Sequence, residues 1–261
     1  MNKIQKPLAR TFMGIMVLFI YAPIVSLVVF SFNENKSLTN WGGFSLQWYT
    51  KLFDSTDIMT AVIMTLLIAI LATLISTVIG TFAAITLSKS KKVIKDMVLT
   101  VNNIPIVNPE IVTAVGLLLL FVSFQVDRGY TTMLLAHIAF CTPYVIITVY
   151  PKVRSLDPNL AEAANDLGAT PLQALRMVIL PEIKVAVIAA AAIAFTMSFD
   201  DFVISYFTAG SATNISIYLY TLRRGVEPTI NALSTIIILV IGLLVTYNYF
   251  KSSEEEKKEI D

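Results

Sequence analysis

The chain has 261 residues, 56% of them hydrophobic and only 14% charged, with a mean hydropathy of +0.74. A soluble domain of that length needs far more charge to coat its surface, so the composition excludes one and describes a membrane protein. A net charge of +1 excludes the concentrated basic face that a nucleic-acid partner requires, and the single cysteine, Cys141, excludes an internal disulfide.

A bilayer core of about 30 Å takes roughly 20 apolar residues in helix. By that measure the chain holds six predicted spans, near Thr11–Phe32, Ala61–Leu87, Met97–Phe124, Thr131–Tyr150, Val185–Phe207 and Ala232–Phe250. The expected fold is all-α: one polytopic membrane domain over residues 1–250, followed by a mixed-charge tail, 251–261, expected to be disordered. The first span is too long for a cleaved signal and reads as a retained anchor. "WGGFSLQWY", Trp41 to Tyr49, reads best as an interfacial aromatic belt ahead of span two. Along span two, Thr65, Ala69 and Thr73, then Ser76, Gly80 and Ala84, place small residues every four positions, the spacing that lets helix backbones approach closely in lipid.

The cations fix an orientation. Lys3, Lys6 and Arg10, then Lys89, Lys91, Lys92 and Lys95, then Lys152, Arg154, Arg176 and Lys184, and finally Lys251, Lys257 and Lys258 fall on one side. Lys36, Lys51, Arg128, Arg223 and Arg224 fall on the other. The richer side, with both termini and the long loop after span four, is expected to be cytoplasmic.

Span three contains "NNIPIVNPEIV", Asn102 to Val112, and is expected to be broken there, with Asn108 capping, Pro109 starting a new helix and Glu110 in its first turn. Whether Glu110 serves that helix terminus or a substrate, the residues leave open. In span four, His137 is expected to pack or to hydrogen-bond to a neighbouring helix.

Between spans four and five lies Pro151 to Lys184, punctuated as two short helices. Asp157 and Pro158 open the first and Gly168 closes it; Thr170, Pro171 and Gln173 form a capping box for the second, which Pro181 ends. One stripe carries Leu160, Ala163, Ala164 and Leu167, the other Leu172, Leu175, Val178 and Ile179. The pattern leaves two readings open: folding back on the spans, or presenting an apolar knob to a partner.

Span five holds "TMSFDDFVIS", Thr196 to Ser205, with Asp200 and Asp201 amid apolar residues. A charged Asp near mid-membrane costs about 2.5–3.5 kcal/mol on insertion scales, so the pair is expected to reach a hydrophilic cavity. Ser198, Asp201, Ser205 and Thr208 recur at helical spacing, which makes Asp201 the expected cavity residue and Asp200 its support or the partner of an arginine. Phe199, Phe202 and Tyr206 flank the pair and offer faces to a cation.

"EAANDLGATPLQALRMVILP", Glu162 to Pro181, resembles the EAA motif of ABC importer permeases, in which E-A-A, a glycine and a terminal I-x-L-P stand at fixed offsets. The likeness extends from "YAPIVSLVVFSFN" through "LTNWGGFSLQWYTKLF" to "GVEPTINALSTI" and points to the membrane subunits of spermidine/putrescine importers. It implies a type I permease fold, a transport subunit with no enzymatic activity, and a place in a bacterial cytoplasmic membrane. It also implies a second permease of similar fold, a dimer of ATPase subunits and an extracellular polyamine-binding protein as partners. Glu162, Ala163, Ala164, Asp166, Gly168, Ala169, Thr170 and Pro171 would then dock on the ATPase, while Asp200, Asp201 and Glu110 line a path for cations. No G-x-x-x-x-G-K-[ST] segment occurs in the sequence, so ATP and magnesium are expected on a partner chain, with no cofactor on this one. The acids alone also fit an importer of another cationic solute, or a proton- or cation-coupled secondary transporter or channel; the capped helix pair does not fit the latter.

Overall fold

The computed structural model describes residues 5–37, 39–222 and 227–260; Arg223 and Arg224 lie outside the described residues. Twelve α-helices and one π-helical turn make up the regular structure among them, and the residues divide into two compact units, Met1–Met59 with Leu222–Asp261, and Thr60–Thr221.

In the first unit α1 (Gln5–Phe30) and α2 (Gln47–Asp54) pack against α12 (Pro228–Ile260), whose helix continues through 251–260, the stretch expected to be without structure. The loop ahead of α2 is ordered by one side chain. Asn33 Nδ2 donates to the carbonyls of Ser37 and Asn40, each at 2.9 Å, and its Oδ1 accepts from Gly42 N–H at 2.7 Å. Trp48 is buried, with its indole N–H on the Asn33 carbonyl, whereas Trp41 and Phe44 remain exposed.

The second unit is built on α6 (Tyr130–Arg154) and α9 (Leu180–Phe199). Ala136, Phe140, Cys141, Val145, Val149 and Val153 of α6 bury with Ile183, Ala190 and Ala194 of α9. The alanines allow the close approach that drives helix association in lipid, where apolar contact alone is worth little. Helix α3 (Thr56–Lys89) contributes all but its first turn to this unit, and its small-residue rows are buried as the spacing predicts. A methyl group on Gly80 would sit 2.6 Å from Val145 Cγ1 and 3.3 Å from the Thr142 carbonyl oxygen, so only glycine fits there.

Among the described residues five helices are long and apolar enough to cross a bilayer: Arg10–Phe30, Thr56–Lys89, Tyr130–Arg154, Pro171–Phe199 and Pro228–Tyr247. The remaining predicted span, the third, is a bent pair, α4 (Lys92–Val107) and α5 (Glu110–Ser123), turned by 107° across Asn108 and Pro109. The break falls where "NNIPIVNPEIV" predicts it. Pro109 itself is the N-cap residue, with no side-chain cap, so Asn108 does not take the capping role expected of it. Asn102 is buried and donates to the Pro143 carbonyl of α6 at 3.2 Å, which ties α4 to the core.

The loop between spans four and five forms α7 (Leu160–Asp166) and α8 (Pro171–Ala174). Asp157 accepts from Asn159 N–H at 2.9 Å in a turn, and α7 starts only at Leu160, later than its sequence suggests. Gly168 closes α7 at φ +88°; its N–H reaches the Asn165 carbonyl at 2.9 Å and Ala169 N–H reaches Ala164 at 3.0 Å, the double closure that a left-handed glycine permits. Thr170 and Gln173 make the reciprocal cap, with Thr170 N–H on Gln173 Oε1 at 2.8 Å.

Pro181 does not end the second helix. A π-helical turn over Leu175–Ile179, with Leu180 N–H on the Leu175 carbonyl, joins α8 to α9 in one run, Pro171–Phe199. The π turn directly precedes α9, and Pro181 falls in the first turn of that helix, where a missing N–H and the proline ring are tolerated.

Gly80→Ala should therefore lower the thermal midpoint of the detergent-purified protein, at an overpacking cost of about 1–3 kcal/mol. Gly116→Ala in α5, where an added methyl meets nothing within 4 Å, should leave the midpoint unchanged or raise it.

Candidate functional site

Span five is broken at the acid pair. Helix α9 ends at Phe199, and α10 (Val203–Thr208) begins three residues after Asp200. A new helix start exposes N–H groups that lipid cannot satisfy. Asp201 satisfies two of them: its Oδ1 accepts from Ile204 N–H at 3.1 Å and its Oδ2 from Ser205 N–H at 2.8 Å.

The same carboxylate meets His137 of α6, whose Nε2 stands 3.3 Å from Asp201 Oδ2. His137 is completely buried and bridges the break: Nδ1 pairs with Ser198 Oγ at 2.7 Å and Nε2 with Ser205 Oγ at 2.9 Å. The first hydroxyl belongs to α9 and the second to α10, so one imidazole holds both halves of the span. Asn214 then donates to Ser205 Oγ at 2.8 Å and accepts from Ile217 N–H at 2.9 Å, capping α11 (Ile215–Thr221). Ile215 N–H reaches Thr65 Oγ1 of α3 at 2.9 Å, and Thr132 of α6 donates to the Thr208 carbonyl at 2.8 Å. Five helices meet in this one polar network.

The polar stripe Ser198, Asp201, Ser205 and Thr208 is thus real, but it faces the protein interior. Asp201 is 5% exposed and Asp200 is the exposed member, the reverse of the expectation. Helical phase does not carry through the break between α9 and α10, and the carboxylate that caps the new helix start turns inward. Glu110, half-buried at the start of α5, brings its carboxyl beside that of Asp201 with Asp200 as a further charged neighbour, so the three acids come together. Phe199 stacks on Phe195 at 5.5 Å, one turn back along α9. Phe202 and Tyr206 pack on each other at 5.3 Å.

Asn214, Thr132 and Tyr220 escaped the sequence reading, which also gave Thr65 a packing role alone. Asn214 alone carried a legible signal, an Asn directly before a short apolar helix. The hydrogen bonds of His137 match what its place in "LLAHIAF" suggests.

At the other end of span five, Leu160 and Ala164 of α7 and Leu175, Val178 and Ile179 beyond α8 are half-buried. Leu167, 90% exposed, and Leu172 and Met177, also exposed, point away. Each stripe is split between the two readings that its sequence leaves open. Glu162, Ala163, Asp166, Thr170 and Pro171 are exposed with them, while Ala169 is half-buried.

A helical multi-pass body with a broken, acid-bearing span and a doubly capped helix pair defines a membrane transport component. The chain belongs to the family of binding-protein-dependent transport system inner membrane components, whose pattern matches residues 76–251. It is 38% identical over 251 residues to the putrescine transport system permease protein PotI of Escherichia coli K12, covering 93% of this chain and 89% of that one. It is 37% identical over 240 residues to the spermidine/putrescine transport system permease protein PotC of Haemophilus influenzae, covering 91% and 93%. In fold it resembles, at a TM-score of 0.76, 14% identity and 96% coverage of both chains, a bacterial ABC transporter that imports alginate. The fold is that of a type I ABC importer permease, and the chain is a transport subunit rather than an enzyme.

Replacing His137 with Phe would remove the partner of Ser198 Oγ and one partner each of Asp201 and Ser205, and the unpaired buried hydroxyl alone costs about 1–3 kcal/mol. His137→Phe should sharply lower the yield and thermal midpoint of purified protein. His137→Gln, whose amide offers N–H donors and a carbonyl acceptor, should recover part of both.

Proposed function

We propose that this chain is the membrane-spanning permease subunit of an ATP-driven importer of polyamines, putrescine or spermidine, in a bacterial cytoplasmic membrane. The observation that carries the substrate is the similarity, over about nine-tenths of the chain, to two permeases named for putrescine. The chemistry agrees. A methylene chain bearing two or three ammonium groups needs carboxylates in place of water at its charges and apolar or aromatic surface along its length.

In this reading Asp200 and Glu110 meet the cargo, with Phe199, Phe202 and Tyr206 beside them, while Asp201 holds the shape of the break. Few acids suit a transport site, which must release what it binds. A second permease of similar fold supplies the other half of the path, and an extracellular binding protein delivers the polyamine. Both termini and the loop 151–184 lie on the cytoplasmic side, where cations concentrate. There Glu162, Ala163, Ala164, Asp166, Gly168, Ala169, Thr170 and Pro171 dock on a dimer of ATPase subunits that binds ATP and magnesium. The exposed Leu167, Leu172 and Met177 suit such a contact, since apolar side chains outside the bilayer gain from being covered.

Uptake of labelled putrescine and spermidine by the complete complex in proteoliposomes tests the assignment. A charge-assisted contact is worth about 1.5–3 kcal/mol, so Asp200→Asn and Glu110→Gln should each slow uptake at least about tenfold with the complex intact. Asp201→Asn should instead reduce the amount of folded protein.

Gly168→Val forces a branched side chain into the left-handed region and should abolish co-purification of the ATPase subunit. Uptake by the purified chain alone would assign it to secondary transporters or channels instead.

A further inference from the structure

Tyr220 belongs to none of the groups so far given a role, yet it is placed with care. It stands on α11 and is 64% exposed. That helix is clamped at its first turn: Asn214 caps it and binds Ser205, and Ile215 N–H binds Thr65. Its exposure is therefore built on the same buried network that holds Asp201.

Around Tyr220 the rings close a triangle, the only mutually contacting trio of aromatic rings among the described residues. Phe202 lies 4.7 Å from it at 41°, Tyr206 lies 5.4 Å from it at 72°, and Phe202 and Tyr206 are 5.3 Å apart. Tyr206 is itself 46% exposed. Two accessible rings set near a right angle offer two π-faces to one cation, the arrangement by which aromatic corners bind ammonium groups. Phe202 is two residues from exposed Asp200, so the corner adjoins a carboxylate. A ring that only anchors in headgroups gains nothing from that neighbour.

We infer that Tyr220 is a specificity-determining residue of the transport path: with Tyr206 and Phe202 it forms an aromatic corner that holds an alkylammonium segment of the cargo beside Asp200. The inference rests on the polyamine reading above. Phenyl suffices for this role, because the π-face and not the phenol makes the contact.

The test uses the complete complex in proteoliposomes, with labelled spermidine at saturating loaded binding protein, and follows uptake and ATP hydrolysis together. Tyr220→Phe should transport like wild type. Tyr220→Leu should slow uptake about 2- to 30-fold, the worth of a cation–π contact, while ATP hydrolysis is still stimulated. Phe carrying one to five ring fluorines at position 220 should slow uptake in step with fluorination, a trend that bulk or membrane anchoring does not produce. Wild-type uptake with Tyr220→Leu at full rate, or a flat fluorine series, would overturn the inference and leave the polyamine reading standing. Absence of polyamine uptake by the wild-type complex would overturn both.

Discussion

A carboxylate at bilayer depth survives only if every hydrogen-bond site around it is used, and Asp201 meets that condition through His137. The imidazole touches Ser198 on one side of the break and Ser205 on the other, so both halves of the interrupted span are tied to one buried side chain. Everything near the site inherits this arrangement. Asp200 is free because Asp201 is occupied, α10 starts where it does because Asp201 caps it, and α11 is held because Ser205 passes the network on to Asn214. The two adjacent acids stand differently: Asp201 holds the backbone of α10, and Asp200 is exposed.

Much of this was legible in the residues, and the reason differs from place to place. Gly168 and the Thr170–Gln173 pair announce helix ends because capping is local and uses few residue types. Small residues every four positions in α3 announce a packed face because close approach in lipid needs them. Which acid faces outward was not legible. The stripe through Ser198 and Asp201 is correct as a pattern, but its orientation depends on His137 some sixty positions away, and on a break that the unbroken apolar run "FVISYF" conceals. Asp201 followed by Ile204 and Ser205 is also a helix-start pattern, and in a hydrophobic run that signal competes with continuity. Pro181 misled for the opposite reason: in a soluble helix it is a stop, whereas here it falls in the first turn of α9, just after a π turn.

The loop between spans four and five divides its apolar residues between two duties. Its inner members brace the loop, and its outer ones, Leu167, Leu172 and Met177, stay exposed. Rigidity matters because a contact can transmit movement only if its own backbone does not yield, and the double closure at Gly168 together with the reciprocal cap at Thr170 supplies it.

The run from Pro171 to Phe199 is a single rod of 29 residues, about 43 Å long at 1.5 Å per residue. One end carries the capping box of the exposed loop and the other ends at Asp200. No hinge loop intervenes; the only irregularity is the π turn at Leu175–Ile179, close to the exposed end. A displacement applied at Thr170 thus arrives at the acids as a shift or rotation of the whole shaft. Under the function proposed above, force and cargo would share one lever, and its stiffness would set how faithfully a stroke at one face becomes an opening at the other.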